Sequence, residues 1–245
     1  VDLLESEGAE AVVPDTAKYV GAYAFYNCTS MVNATIGTTT ESIGECTFYN
    51  CEKLETVVIG YSVKSIGNYA FYNCGLSKVT IPSSTKYIGK YAFANNKFMT
   101  KVTHKKGVVV IDEFAYQNCT SLETVTLPTS LEIISKGVFQ NCSLLKTANL
   151  PSSLKTLGSY AFDNCSSLPT VTIPTGVTAI NDCTFNKCTS LATVTINSNV
   201  TSIGFDAFRE CAFSAIILPN TVENIKGGAF RGCAKLTKII IPDAT

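Results

Sequence analysis

The stretch YQNCTSLETVTLPTSLEIISKGVF, residues 116–139, runs from one aromatic residue to the next and spells the unit from which the chain is built. Tyr116 opens an aromatic-x-x-Cys pattern closed by Cys119, and Phe139 opens the same pattern with Cys142. Between them Val125 and Leu127 alternate with polar residues, as a strand with one buried face does, and Pro128 ends the strand because it has no N–H to donate. Outward in both directions the aromatic returns as Phe25, Phe48, Phe71, Phe93, Tyr116, Phe139, Phe162, Phe185, Phe208 and Phe230, at intervals of 22 or 23 residues. Both short intervals lose their residue just after the Cys, at Gly75-Leu76 and Ala212-Phe213. This periodicity predicts a repeat solenoid of about ten 23-residue coils, covering residues 11–245 after an N-terminal flank of residues 1–10. Each coil contributes one short strand to a parallel sheet that advances about 4.8 Å per strand. The returning side is too short for a helix and is expected to hold turns, a short strand or a 3₁₀ turn.

Three further columns repeat with the aromatic. Pro closes the strand at Pro14, Pro82, Pro128, Pro151, Pro174, Pro219 and Pro242, with Gly37, Gly60, Lys105 and Asn197 in the remaining copies. Gly follows the second apolar position at Gly21, Gly44, Gly67, Gly89, Gly158 and Gly204, which predicts a turn residue near positive φ. The Ala-Phe pair that follows is expected to wedge its ring into the core.

The motifs AFYNC, SIGNYAFYNC and NCTSLETVTLP resemble the leucine-rich repeats of the Treponema pallidum type, found in BspA-like bacterial surface proteins and in surface proteins of some parasitic protists. The resemblance covers residues 11–245. It implies a leucine-rich-repeat solenoid at the cell surface or secreted, acting without catalysis in protein–protein interaction or adhesion to host cells or matrix. A carbohydrate-binding or targeting domain of a larger surface enzyme is the alternative.

Composition narrows the chemistry. Lys plus Arg number 19 against 19 Asp plus Glu, and only two of the cations, Arg209 and Arg231, are Arg, which argues against nucleic acid. The longest aliphatic run, Val108 to Ile111, is far shorter than a membrane span, and no basic-apolar leader opens the chain. No Gly-rich phosphate loop and no HExxH motif occur, so no cofactor or metal is expected. A hydrolytic triad would have to be built on His104, the one His, which stands at an inward strand position among Lys101, Lys105 and Lys106 and reads as a partly buried structural imidazole.

Eleven Cys invite a metal or disulfide account. Nine form one column, from Cys28 to Cys233, and are expected to be a buried, reduced ladder, because parallel copies point their Cβ vectors the same way. Cys46 and Cys183 lie outside it, six coils and roughly 29 Å apart, too far for a shared zinc. Local bridges Cys46–Cys51 and Cys183–Cys188 stay open at this point.

Binding is expected on the outward strand positions. One column runs Asn33, Thr56, Lys78, Lys101, Thr124, Thr147, Thr170, Thr193, Ala215, Lys238, and the second Thr35, Val58, Thr80, Thr103, Thr126, Asn149, Thr172, Thr195, Ile217, Ile240. The Thr-rich face suits either a plain exposed sheet or a partner, protein or glycan, across Lys78, Lys101, Thr80, Thr103, Thr124, Thr126, Thr147, Thr170 and Thr172. Lys78 and Lys101, reinforced by Lys97, Lys105 and Lys106, are expected to receive an anionic ligand or acidic patch. A stripe of Tyr23, Tyr69, Tyr91, Phe114 and Tyr160 reads as packing along the outer edge, or as a sugar or protein contact. At the other end Ile217 and Ile240 place two aliphatic side chains toward water, next to a sequence that stops partway through a repeat. That pairing predicts a covered C-terminal edge, by further chain or by self-association, in a piece of a longer protein.

Overall fold

The computed structural model describes residues 9–241. They form a parallel β-solenoid of about ten turns of about 23 residues, with no helix among the described residues. The front face carries the strands Ala9–Val12, Met31–Thr35, Thr56–Val58, Lys78–Ile81, Lys101–His104, Thr124–Thr126, Thr147–Ala148, Thr170–Thr172, Thr193–Thr195, Ala215–Ile217 and Lys238–Ile240. The back face carries two-residue strands from Tyr19–Val20 to Asn224–Ile225, one per coil, so the returning side is a second narrow sheet followed by turns.

Each turn segment obeys a simple rule. In the coil of Phe25, the N–H groups of Tyr23, Phe25 and Asn27 donate to Glu45, Thr47 and Tyr49 of the next coil, while those of Ala24, Tyr26 and Cys28 donate three residues back. Alternate groups thus zip coils together and close local turns, which leaves few backbone groups unpaired. The geometry requires left-handed backbone at two places, Tyr23 (φ 60°) and Asn27 (φ 58°), and the same columns repeat it at Tyr69, Tyr91, Phe114, Asn73, Asn118 and Asn164.

This corrects the reading of the glycines. Gly44 and Gly67 do not hold positive φ; a Cβ on Gly44 would stand 2.5 Å from the backbone N of Ala22, and on Gly67 2.7 Å from that of Glu45. The column is glycine because backbones of successive coils touch there, and the left-handed residues come two positions later.

Two of the three interruptions in the front sheet coincide with the 22-residue intervals, between Thr56–Val58 and Lys78–Ile81 and between Thr193–Thr195 and Ala215–Ile217. The third, between Thr147–Ala148 and Thr170–Thr172, has a different cause. In other coils the equivalent N–H reaches back one coil, Glu123 to Thr100 O and Lys146 to Glu123 O, whereas Pro169 has none to give.

The core is a column of rings. Phe25 through Phe230 stack coil on coil with centroids 5.0 to 5.8 Å apart, in near-parallel planes, and those from Phe48 to Phe208 are fully buried. Beside it runs the thiol ladder. Cys51 Sγ donates to Phe25 O at 3.1 Å, Cys142 to Tyr116 O at 3.2 Å and Cys188 to Phe162 O at 3.1 Å, each reaching the ring residue of the coil before. Asn96 serves the same column by donating Nδ2 to Phe71 O and Phe93 O, both at 2.8 Å, but leaves its Oδ1 buried and unpartnered.

All eleven cysteines are free thiols. Cys51 points at Phe25 O and Cys188 at Phe162 O, so neither is turned toward Cys46 or Cys183. Burial pushes the thiols up, Cys51 and Cys119 to about 12, and holds them protonated and unreactive at neutral pH. Ladder member Cys28 is only half-buried, as is Cys183 outside the ladder.

His104 is fully interior at 3% exposure rather than partly buried. Thr126 O, an acceptor, lies 2.9 Å from Nδ1, so Nδ1 carries the proton and Nε2 accepts from Tyr116 Oη at 2.8 Å. Tyr116 replaces Phe in the ring column in the one place where an imidazole needs a donor.

Two outcomes follow from this core. An aromatic disulfide reagent at neutral pH should titrate at most Cys28 and Cys183 in the native chain and all eleven thiols in denaturant; free reaction of the ladder in native buffer would contradict the packing. Burial holds His104 down at about 4 against 6.5 for the free side chain. The unfolded chain therefore binds the extra proton between those values, so stability is intact above pH 6.5 and falls as pH drops toward 4, by up to about 3 kcal/mol. His104→Ile combined with Tyr116→Phe, which restores the residue types of neighbouring coils, should flatten that limb in urea titrations; an unchanged slope would mean other groups cause it.

Candidate functional site

The front sheet brings the expected surface residues together. Lys78, Lys101, Thr124 and Thr147 lie in register across four strands, and Thr80, Thr103 and Thr126 form the row beside them. Lys78, Lys101, Thr80, Thr126 and Thr147 are exposed, while Thr103 and Thr124 are half-buried. Thr170 and Thr172 are exposed too but lie beyond the interruption made by Pro169, paired instead with Thr193 and Thr195.

Four lysines pair with a glutamate one coil away, Lys64–Glu41, Lys90–Glu113, Lys146–Glu123 and Lys155–Glu132, all within 2.9 Å. Lys78 and Lys101 stand directly beside each other in the ladder, and among the described residues neither has a carboxylate within ion-pair distance.

Next to them is a groove of about 910 Å³ that sequence reading missed. Four consecutive members of the strand-closing column line it, Pro14 and Pro82 at either side with Gly37 and Gly60 between them. The backbone there is stacked too closely for anything larger, since a Cβ on Gly60 would lie 2.1 Å from Gly37 O. Val12, Val58 and Tyr61 project into the hollow at 64%, 60% and 70% exposure, and Lys78 and Lys105 line its far end. The seam between Thr56–Val58 and Lys78–Ile81, where the front sheet is interrupted, runs through it. The signals were present as Gly-for-Pro at two consecutive coils, Val58 in a Thr column and a 22-residue interval.

The aromatic edge is a packing element. Tyr69, Tyr91 and Phe114 stack at 4.9 Å, and Tyr26, Tyr49 and Tyr72 make a second column at 5.1 and 4.9 Å. Ring faces are therefore spent on each other, and a sugar, which stacks on a face, finds mainly edges and hydroxyls. At the C-terminal end Ile217 is 57% exposed, but its register partner Ile240 is half-buried, so the expected pair of water-facing aliphatics is reduced to one. Residues 242–245, including Pro242, lie outside the described residues; the last described strand, Lys238–Ile240, pairs with Ala215–Ile217 alone, and Ile239 and Ile241 beside it are 46% and 60% exposed. No cluster of three or more metal-ligating side chains occurs among the described residues.

Comparison with known proteins agrees with this architecture. The family model described as BspA type leucine rich repeat region matches six copies over residues 18–144, 88–212 and 155–245, and the chain belongs to that family. Solved structures share the fold: a leucine-rich repeat protein from Bacteroides ovatus (25% identity, TM-score 0.55, 94% of this chain and 72% of that one) and the T. pallidum leucine rich repeat protein (24%, 0.53, 94% and 78%). A leucine rich cell surface protein from Faecalibacterium prausnitzii matches at 22% identity and TM-score 0.50, over 96% of this chain and 79% of that one. No match is found among curated proteins.

Proposed function

We propose that this BspA-type leucine-rich-repeat chain is a non-enzymatic binding module at the cell surface or outside the cell, which holds a protein or matrix partner on the N-terminal half of its front sheet. The observation that carries this reading is the junction of an open apolar groove with unpaired lysines on the front sheet of the solenoid. Apolar side chains exposed together and rimmed by charge are the ordinary anatomy of a protein contact. A glycan partner has less support along the aromatic edge, where Tyr69, Tyr91 and Phe114 stack on one another, and would have to use Tyr61, the exposed ring of the groove. Surface placement is the reading the family carries.

Beads coated with the chain should adhere to immobilised matrix proteins or epithelial monolayers, and Val58→Thr with Lys78→Thr and Lys101→Thr should reduce retention about fivefold or more. Those replacements use the residue that other coils carry at the same positions, so the fold is retained. Adhesion no better than that of albumin-coated beads on every surface would overturn the reading. Exposed Ile217 offers a separate contact for self-association; light scattering at high concentration should show oligomers that Ile217→Thr removes, and a strictly monomeric parent chain would dismiss it.

A further inference from the structure

The groove is polarised along the solenoid axis. Asp15 stands at its N-terminal end, where it accepts from Thr38 N and Oγ1 at 2.6 and 2.8 Å, which holds its carboxyl below the usual range and keeps it charged. Lys78 and Lys105 line the other end, with Lys101 beside Lys78 on the next strand, and exposed apolar surface from Val12, Val58 and Tyr61 lies between. From the coil of Val12 to that of Lys105 is four coil steps, or about 19 Å, which is the length of about six residues in extended conformation.

Resting on the reading of the front face as a binding surface, we infer that the groove receives an extended peptide segment with an aliphatic centre, acidic residues at one end and neutral or basic residues at the other. The acidic end lies over Lys78, Lys101 and Lys105. Like charges one coil apart are unfavourable until a counter-charge arrives, so a carboxylate there gains from both lysines at once. The aliphatic centre covers Val58 and Tyr61, whose exposure in an isolated chain is otherwise a cost. Asp15 rejects a second acidic end, which fixes the direction in which the segment lies. Shape alone would admit any apolar strand; the opposite charges at the two ends narrow the choice to a dipolar one.

The test is selection of a random linear peptide library on the chain, followed by fluorescence anisotropy with the enriched sequences. Enriched peptides should carry Asp or Glu on one side of Leu, Ile or Val and none on the other. Lys78→Thr with Lys101→Thr should weaken them about tenfold at about 0.05 M salt and about twofold at about 0.5 M, because screening removes the charge contribution first. Val58→Thr should weaken them about threefold at both concentrations, since apolar contact is not screened by salt. Replacing the acidic end of a peptide with a basic one should abolish binding. No enrichment, enrichment of neutral or basic peptides, or acidic peptides indifferent to these variants would overturn the inference. Peptide binding without bead adhesion would retire the adhesive role and leave the groove's chemistry standing, and adhesion without peptide binding would do the reverse.

Discussion

Every column of this solenoid has to tolerate a copy of itself about 5 Å above and below. That rise is set by the backbone bonds between coils, and it acts as a filter on side-chain chemistry. Flat rings pass it by offset stacking. Thiols pass because each donates downward to a carbonyl, and asparagines pass because an amide is both donor and acceptor: Asn141 Nδ2 donates to Asn118 Oδ1 at 2.8 Å, and Asn164 Nδ2 to Asn141 Oδ1 at 3.1 Å. Charge passes most easily where its sign alternates, as Glu41–Lys64 and Glu132–Lys155 do across coils, although exposed Lys64 and Lys86 also follow one another in the same column. Lys78 above Lys101 is the departure from that filter on the front sheet, and it stands beside the place where the strand-closing prolines give way to glycine.

The polar exceptions in the core show how such a filter is relaxed. His104, Tyr116 and Thr126 form a closed chain of donor and acceptor inside the stack, so two changes of residue type compensate one another. Asn96 is compensated only in part: its amide finds two carbonyls and its oxygen finds nothing. All of these sit in adjacent coils near the middle of the chain, where the repeat is least regular.

Periodicity made the architecture legible, because a 23-residue spacing held over ten aromatics admits few other shapes. The outward columns and the basic spot were legible for the same reason, since alternation along Lys78–Ile81 fixes which side chains leave the core. What escaped was anything decided by contact between coils. Glycine in a column looks the same whether it supplies a left-handed turn or makes room for another backbone, and Gly44 does the second. A groove lined by side chains from five successive coils, from Val12 to Lys105, is announced by no single one of them. The half-burial of Ile240 depends on how the last coils lie together, which alternation along one strand does not reveal.

Between the coils of Thr147–Leu157 and Thr170–Ile180 both sheets lose their pairing at one level, in front at Pro169 and behind at Asn181, whose side chain rather than its backbone reaches Leu157 O at 2.6 Å. Along the turn edge the zip continues unbroken, with Tyr160, Phe162 and Asn164 donating to Asp182, Thr184 and Asn186. The other two edges are held across this level by isolated hydrogen bonds, Ser167 N–H to Ser143 O in front and the Asn181 side chain behind. Fewer backbone bonds cross here than at the levels on either side, so local opening of the stack costs least at this point.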